Sequence, residues 1–207
     1  MERLLVLIRH GQSEGNANHL FTGWNDPELT PQGVFEAEAI ASALGDTRFD
    51  IAFTSSLRRA QHTLQIILHK LGQSELTTVE SPDLNERNYG DLTGLRKAEA
   101  RSLWGKDFVD RWQRSYDLAP PEGESLRDTS ARVVPYFITR VLPCVLSGER
   151  TIIAAHGNSL RALVMVLEQI DPGQIATMEI STGTALLYKM NADGTVCGKR
   201  TYPSPVI

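Results

Sequence analysis

The chain has 207 residues, 41% of them hydrophobic, which is enough to bury a substantial core; its net charge of -4 speaks against a nucleic-acid-binding surface. Cys144 and Cys197 form neither a CxxC pair nor a set with histidine at metal-ligand spacing, so they read as ordinary thiols of a reduced, cytoplasmic protein. Leu4–Ile8 is too short for a signal core or a membrane span and follows no basic stretch, so neither secretion nor membrane association is expected.

Leu4–Ile8 is instead a continuous branched-apolar run bounded by polar residues, the pattern of a strand covered on both faces. Thr30-Pro31 supplies an N-cap and a first-turn proline for a helix that continues through "VFEAEAIASAL" to near Gly45. Ile51–Ser55 is a second strand, and Leu57, Ala60, Leu64, Ile67, Leu68 and Leu71 then share one helical face up to Gly72. "LTTVE", ending at Glu80, reads as a third strand, and Pro82–Lys97, broken by Pro, Asn, Gly and Asp, as a long irregular loop of the kind that carries function. Ser125-x-x-Asp128 has the form of a capping box at the head of a helix kinked at Pro135. Thr151–Ala155 is a buried strand, Ser159–Ile170 a helix and "TALLYKM" a last strand. No repeat, low-complexity tract or linker divides residues 1–207, so a single α/β domain on a mostly parallel sheet is expected, with ligands at the carboxyl ends of the strands.

Two of those strands end alike. "LLVLIRHGQSEGNAN" and "TIIAAHGNSLRA" each run from branched apolar residues into His-Gly, an amide and Ser. If the two strands are neighbours, His10 and His156 face each other across one pocket. Gly11 and Gly157 allow sharp turns, and the amide nitrogens that follow, with Ser13 and the helix after Ser159, make a donor-rich site for an anion. Arg9, Arg58, Arg87 and Arg161 lie at strand or loop ends on the same edge, and guanidinium forks match phosphate oxygens in pairs. Glu86 is the carboxylate placed to move a proton. One neutral imidazole can attack phosphorus while the second, protonated, joins the arginines in holding the charge on the equatorial oxygens. Two other classes use the same residues: a metal site of His10, His156 and Glu86, which the flanking arginines would repel, and a non-catalytic phospholigand-binding module, which has no use for paired imidazoles.

"LIRHGQSEGN" resembles the signature of the histidine phosphatase superfamily. "FTGWNDPELTPQG", "TSSLRRAQHT", "LNERNYGDLTGLRKAE" and "IIAAHGNSLRAL" resemble, in order, segments of the cofactor-dependent phosphoglycerate mutases, across nearly the whole chain. The resemblance implies a three-layer sandwich with the sheet flanked by helices, and a phosphohistidine at His10, with Arg9, Arg58 and His156 around the phosphoryl group and Glu86 as general acid and base. It puts Ser13, Asn16, Thr22 and Gly23 in the pocket after His10, Gly157 and Asn158 at the other strand end, and Arg87, Tyr89, Lys97 and Arg114 on the ligand's carboxylate and distal phosphate. It further implies interconversion of 2- and 3-phosphoglycerate in glycolysis and gluconeogenesis, priming by 2,3-bisphosphoglycerate with no metal, no nucleic-acid or membrane partner, and a homo-oligomer, in particular a dimer. A histidine phosphatase, with water as the phosphoryl acceptor, is the alternative. Two features depart from the family pattern: Gln113 stands where many members carry the first of two adjacent arginines, and "LAPPEGESLRD" lacks the longer members' insertion. Trp24 reads as a packing residue, and His19, His62 and His69 as surface or helix histidines.

Overall fold

The computed structural model describes residues 3–205, apart from the side chain of Ala176; residues 1–2 and 206–207 of the expected domain lie outside it. Along the chain come β1 (Leu4–Arg9), α1 (Glu14–Ala17), α2 (Pro31–Leu44), β2 (Ile51–Thr54), α3 (Arg58–Lys70) and β3 (Thr78–Glu80). They are followed by α4 (Lys97–Trp104), α5 (Lys106–Arg114), α6 (Leu126–Tyr136), α7 (Leu142–Ser147), β4 (Thr151–Ala155), α8 (Gly157–Leu167), α9 (Pro172–Thr177), β5 (Ala185–Met190) and β6 (Val196–Tyr202). The strands form one sheet in the order β3-β2-β4-β1-β5-β6. β3, β2, β4 and β1 pair in parallel, whereas β5 runs antiparallel to β1 and β6 to β5.

Because strand side chains alternate between faces, the apolar runs of β1 and β4 feed two cores at once. Leu5, Leu7, Ile153 and Ala155 pack with α6 and α8 residues such as Val133 and Leu163. Leu4, Val6, Ile8, Ile152 and Ala154 pack on the other side with α2 and α3 residues such as Ile40 and Leu64. Helices therefore cover both faces, as a mostly parallel sheet requires. Leu7 is fully buried, and truncating it to alanine would cost about 2–5 kcal/mol. A smaller cluster of Phe21, Leu92, Ala100 and Val109 ties α4 and α5 to the loops beyond the strand ends.

Caps predicted from sequence are present: the Thr30 side chain accepts from the Gly33 amide, and Ser125 and Asp128 bond reciprocally at the head of α6. Pro135 lies within α6 and is followed by a π-helical turn at Phe137–Val141. Three features differ from the sequence expectation. β5 is not the last strand, because β6 follows it as a largely exposed edge strand whose polar residues give no apolar run. α4 and α5 occupy a region to which apolar periodicity assigns no helix, since each buries only one residue fully, Ala100 and Val109. α8 begins at Gly157, two residues earlier than expected, so the backbone turns into a helix immediately after His156.

Candidate active site

The register of the two central strands sets the site. Ile8 pairs with Ala154 and Arg9 with Ala155, so β1 and β4 end level and release His10 and His156 side by side. The His10 amide donates to the Ala155 carbonyl at 3.0 Å, and the two imidazole centroids are 5.0 Å apart. Gly11 is needed for a close approach: a Cβ there would lie 2.2 Å from the Gly33 carbonyl oxygen at the start of α2. Gly157 lies against Arg9, whose guanidinium carbon would be in ordinary contact, at 3.4 Å, with an added Cβ.

His10 is buried, and its Nδ1–H donates to its neighbour's carbonyl, Gly11 O, at 2.7 Å. That bond fixes the tautomer and leaves a lone pair on Nε2, which accepts from Arg59 Nε at 3.3 Å. Burial, then the charges of Arg59 and Arg9, pull His10 well below the usual imidazole value, against a smaller upward effect of the Gly11 bond. His10 is therefore neutral at neutral pH, with the lone pair that a nitrogen nucleophile requires. His156 is held low for similar reasons: burial first, then Arg59, His10 and Arg9. This direction runs against the expectation of a protonated second histidine: burial and the charges of Arg59 and Arg9 disfavour an imidazolium there.

The cation beside the histidines is Arg59, and the sequence assignment of Arg58 is corrected here. Arg58 opens α3 with its side chain 60% exposed, paired with Asp26 at 3.1 Å and Glu28 at 2.6 Å. Arg59 is fully buried, and its terminal nitrogens donate to the carbonyls of Asn25 (2.8 Å) and Gly23 (2.9 Å). Burial, opposed by Glu86 and Asp26, lowers its guanidinium to about 10, so it stays charged. Of two adjacent arginines at a helix start, composition cannot say which points inward; the turn after Ser55 sends the second one in.

Glu86 is buried, with Oε1 accepting from the Arg87 amide (2.9 Å), the Asn158 amide (3.0 Å) and Asn158 Nδ2 (2.9 Å). Burial is the largest influence and pushes its carboxyl up, but Arg9, the Arg87 amide, Asn158 and Arg59 together outweigh it and hold it below the usual carboxylate range. The loop carrying it is clamped by a residue that sequence reasoning missed. Arg132, from α6, donates to the carbonyls of Asp83 (2.8 Å), Asn85 (3.0 Å) and Glu86 (2.9 Å) while paired with Glu124 at 2.9 Å. Trp24, expected to pack, is instead 45% exposed; it lies under the Arg132 guanidinium at 5.8 Å and donates its indole N–H to the Glu86 carbonyl at 2.6 Å. Neither had a local signal, since both act on a backbone distant in sequence.

Two adjoining cavities meet at these groups and share Arg9, Glu86, Tyr89 and Lys97. The inner one, about 70 Å³, reaches His10, Asn16, Thr22, Gly23 and Arg59. The outer one, about 170 Å³, is lined also by Gln113, Arg114, Gly157, Asn158 and Arg161. Four sequence candidates line neither. Arg58 is turned to Asp26 and Glu28, and His156 is fully buried with its Nε2 2.7 Å from Ser55 Oγ. Ser13 caps α1, its hydroxyl donating to Asn16 Oδ1 at 2.9 Å. Arg87 stacks on Tyr89 at 4.7 Å and donates to the carbonyls of Trp112 (3.0 Å) and Gln113 (3.2 Å). Buried polar atoms around the site have no hydrogen-bond partner among the described residues: Arg9 Nε, Arg87 Nε, His156 Nδ1 and Thr22 Oγ1. Buried donors without acceptors are costly, and clustered with cations they fit an anion that supplies the acceptors.

A family model, the histidine phosphatase superfamily (branch 1), matches residues 5–201. The chain belongs to this superfamily. Within it, the chain groups with the 2,3-bisphosphoglycerate-dependent phosphoglycerate mutases: it is 56% identical over 202 residues to the protein so named from Azorhizobium caulinodans (97% of this chain, 98% of that one). The protein of the same name from Nitrobacter hamburgensis is 58% identical over 200 residues (96% and 97%). Among solved structures, a mycobacterial glucosyl-3-phosphoglycerate phosphatase in complex with VO3 is similar at a TM-score of 0.81 and 25% identity, covering 98% of this chain and 100% of that one. The histidine phosphatase fold thus accounts for the level strand ends and the helices on both faces. Among the described residues no helix is long and apolar enough to cross a membrane.

Proposed function

We propose that this protein interconverts 2-phosphoglycerate and 3-phosphoglycerate through a phosphohistidine at His10 and a 2,3-bisphosphoglycerate intermediate, as a cytoplasmic enzyme of glycolysis and gluconeogenesis with residues 1–207 as one catalytic domain. The observation that carries the reading is the neutral Nε2 of His10, set against Arg59 in a cavity it shares with Glu86 and with buried donors that lack acceptors. Identity of 56–58% to proteins named for this activity supports the substrate.

The residues divide the work by position. His10 Nε2 attacks phosphorus in line, while Arg9, Arg59 and His156 stabilise the charge on the equatorial oxygens. The Glu86 carboxylate takes the hydroxyl proton when phospho-His10 gives its group to a monophosphoglycerate, and returns a proton to the leaving oxygen when the other phosphate goes back to His10. An incoming phosphate neutralises Arg9 and Arg59, the charges that keep Glu86 ionised, and so raises its affinity for the proton it must hold. Asn16, Thr22 and Gly23 border the reacting phosphoryl group. Tyr89, Lys97, Arg114, Gly157 and Asn158 border the rest of the ligand, and Ser13 and Arg87 hold Asn16 and α5 in place. The buried unpartnered donors and flanking cations fit 2,3-bisphosphoglycerate as the priming phosphate donor. No step needs a metal, a nucleic acid or a membrane, and the protein works as a homo-oligomer, a dimer by family resemblance.

One observation favours hydrolysis as a second activity: Gln113, and not an arginine, lines the outer cavity beside Arg114. Incubation with 3-phosphoglycerate and a trace of bisphosphoglycerate, followed by phosphorus NMR, separates the outcomes. Formation of 2-phosphoglycerate is expected; free phosphate alone would make the protein a phosphatase, and no change would leave a binding module.

A further inference from the structure

Ser55 follows β2, on the strand next to β4, and is fully buried. Its Oγ accepts the Leu57 amide at 3.2 Å and lies 2.7 Å from His156 Nε2. Among the described residues it makes no other hydrogen bond, so its hydroxyl hydrogen has one acceptor, the lone pair of Nε2. The opposite arrangement would set an Nε2–H against that oxygen and leave a buried hydroxyl hydrogen with nothing to bond. A neutral His156 with a bare Nε2 carries its proton on Nδ1. Nδ1 is buried and, although the ring sits over the Ser159 amide at the head of α8, it makes no well-formed hydrogen bond among the described residues; the ring lies 5.0 Å from that of His10.

We infer that Ser55 is a positioning residue that fixes His156 as its Nδ1–H tautomer and thereby reserves a neutral N–H donor beside His10 for a phosphoryl oxygen. The tautomer stands on the hydrogen-bond geometry; its consequence for rate rests on the reading of His10 as the phosphoryl acceptor. A neutral donor suits this position because Arg9 and Arg59 already supply charge, and burial with those charges disfavours an imidazolium. The sequence gives no hint of the role, since Ser55 sits in a strand-end "TSSL" where a serine is an ordinary cap or turn residue.

Proton–nitrogen correlation spectra of the full chain with isotope-labelled histidine, at neutral pH, show which nitrogen of His156 is protonated; His156→Gln identifies the signal. The wild type is expected to show a protonated Nδ1 and a bare Nε2. In Ser55→Ala the proton should spread to Nε2, and phosphorylation of His10 by bisphosphoglycerate should slow about ten- to a hundredfold, by analogy with metal-ligating histidines that lose an orienting hydrogen-bond partner. Bisphosphoglycerate affinity should change less, and Ser55→Thr, which keeps the hydroxyl, should recover both tautomer and rate. A wild-type His156 protonated at Nε2, or at both nitrogens, would overturn the inference whether or not any variant folds. So would a slower Ser55→Ala whose tautomer is unchanged, or a changed tautomer with an unchanged rate. Failure of wild-type His10 to take up phosphate would overturn the proposed function, while the spectrum would still decide the tautomer.

Discussion

Arg58 and Arg59 offer a direct trial of the site, because they are adjacent and chemically identical yet one side chain is largely exposed and the other fully buried. Arg59 Nε lies 3.3 Å from His10 Nε2, and its terminal nitrogens are held by the Gly23 and Asn25 carbonyls, so the guanidinium is fixed before any ligand arrives. Removing such a preorganised donor from a site of charge development costs roughly 2.7–4 kcal/mol, or about a hundred- to a thousandfold in rate. Arg59→Ala should therefore slow transfer of labelled phosphate to His10 by that factor. Arg59→Lys should recover only part, because an ammonium keeps the charge but cannot span both carbonyls and His10. Arg58 is 60% exposed in a pair with Asp26 and Glu28, a contact worth about 0–1 kcal/mol of stability. Arg58→Ala should leave the transfer rate within about twofold of wild type on the same reasoning. Rapid-quench measurement of acid-labile label on His10, with thermal unfolding in parallel, reads both effects. If Arg58→Ala slows transfer as much as Arg59→Ala while remaining folded, the assignment of the inward arginine is wrong.

Glu86→Gln keeps the shape but cannot take a proton, so transfer from phospho-His10 to 3-phosphoglycerate should fall about a hundred- to ten-thousandfold, with ligand affinity much less affected; single-turnover kinetics with a binding titration checks this. Both histidines have native values below their unfolded value of about 6.5, so the unfolded chain binds protons that the native one does not. Their contribution to stability is complete above about pH 6.5 and is lost as pH falls below it, by up to about 1.4 kcal/mol per pH unit for each. Urea unfolding across that range should show a shallower acid limb in His156→Gln than in wild type. Prolonged treatment with a strong chelator should leave mutase activity unchanged, since Arg9 and Arg59 repel a cation from the histidines; activity lost and then restored by zinc or magnesium would count against the proton-transfer account.

What the sequence made legible was whatever is encoded locally. The apolar runs of β1 and β4, the Thr30 and Ser125 caps and the paired His-Gly turns are each contained in a few residues, and together they bring His10 and His156 to one edge of a parallel sheet. The β6 edge strand and the α4–α5 pair escaped notice because they bury little and so leave weak apolar periodicity. The residue types at 58 and 59 do not identify the inward arginine, because helix phase at α3 is set by burial of Ala60, Leu64 and Ile67. Arg132, Glu124 and Ser55 were invisible for another reason. Their partners lie 46, 8 and 101 positions away, so the bonds exist only once the chain has folded.

The departure at Gln113 acquires physical content from the structure. Gln113 and Arg114 end α5 and line the outer cavity with Gly157 and Asn158, whereas His10 lines only the inner one. A mutase must hold the bisphosphate while it reorients and must keep water from phospho-His10, and both tasks fall to this outer wall. Gln113 offers a neutral amide there, so the intermediate should escape more readily and hydrolysis compete more than in relatives with two arginines. Gln113→Arg restores the second guanidinium without disturbing its surroundings, because Arg87 bonds the backbone carbonyl of residue 113 and not its side chain. A charge-assisted hydrogen bond to a phosphate is worth roughly 1.5–3 kcal/mol, which corresponds to about a ten- to hundredfold lower half-saturating concentration of bisphosphoglycerate. Phosphate release per mutase turnover should fall in the same variant. Should both quantities match wild type in Gln113→Arg, the side chain at 113 does not reach the ligand, and the leak must be sought in the loop that carries Glu122 and Gly123 instead.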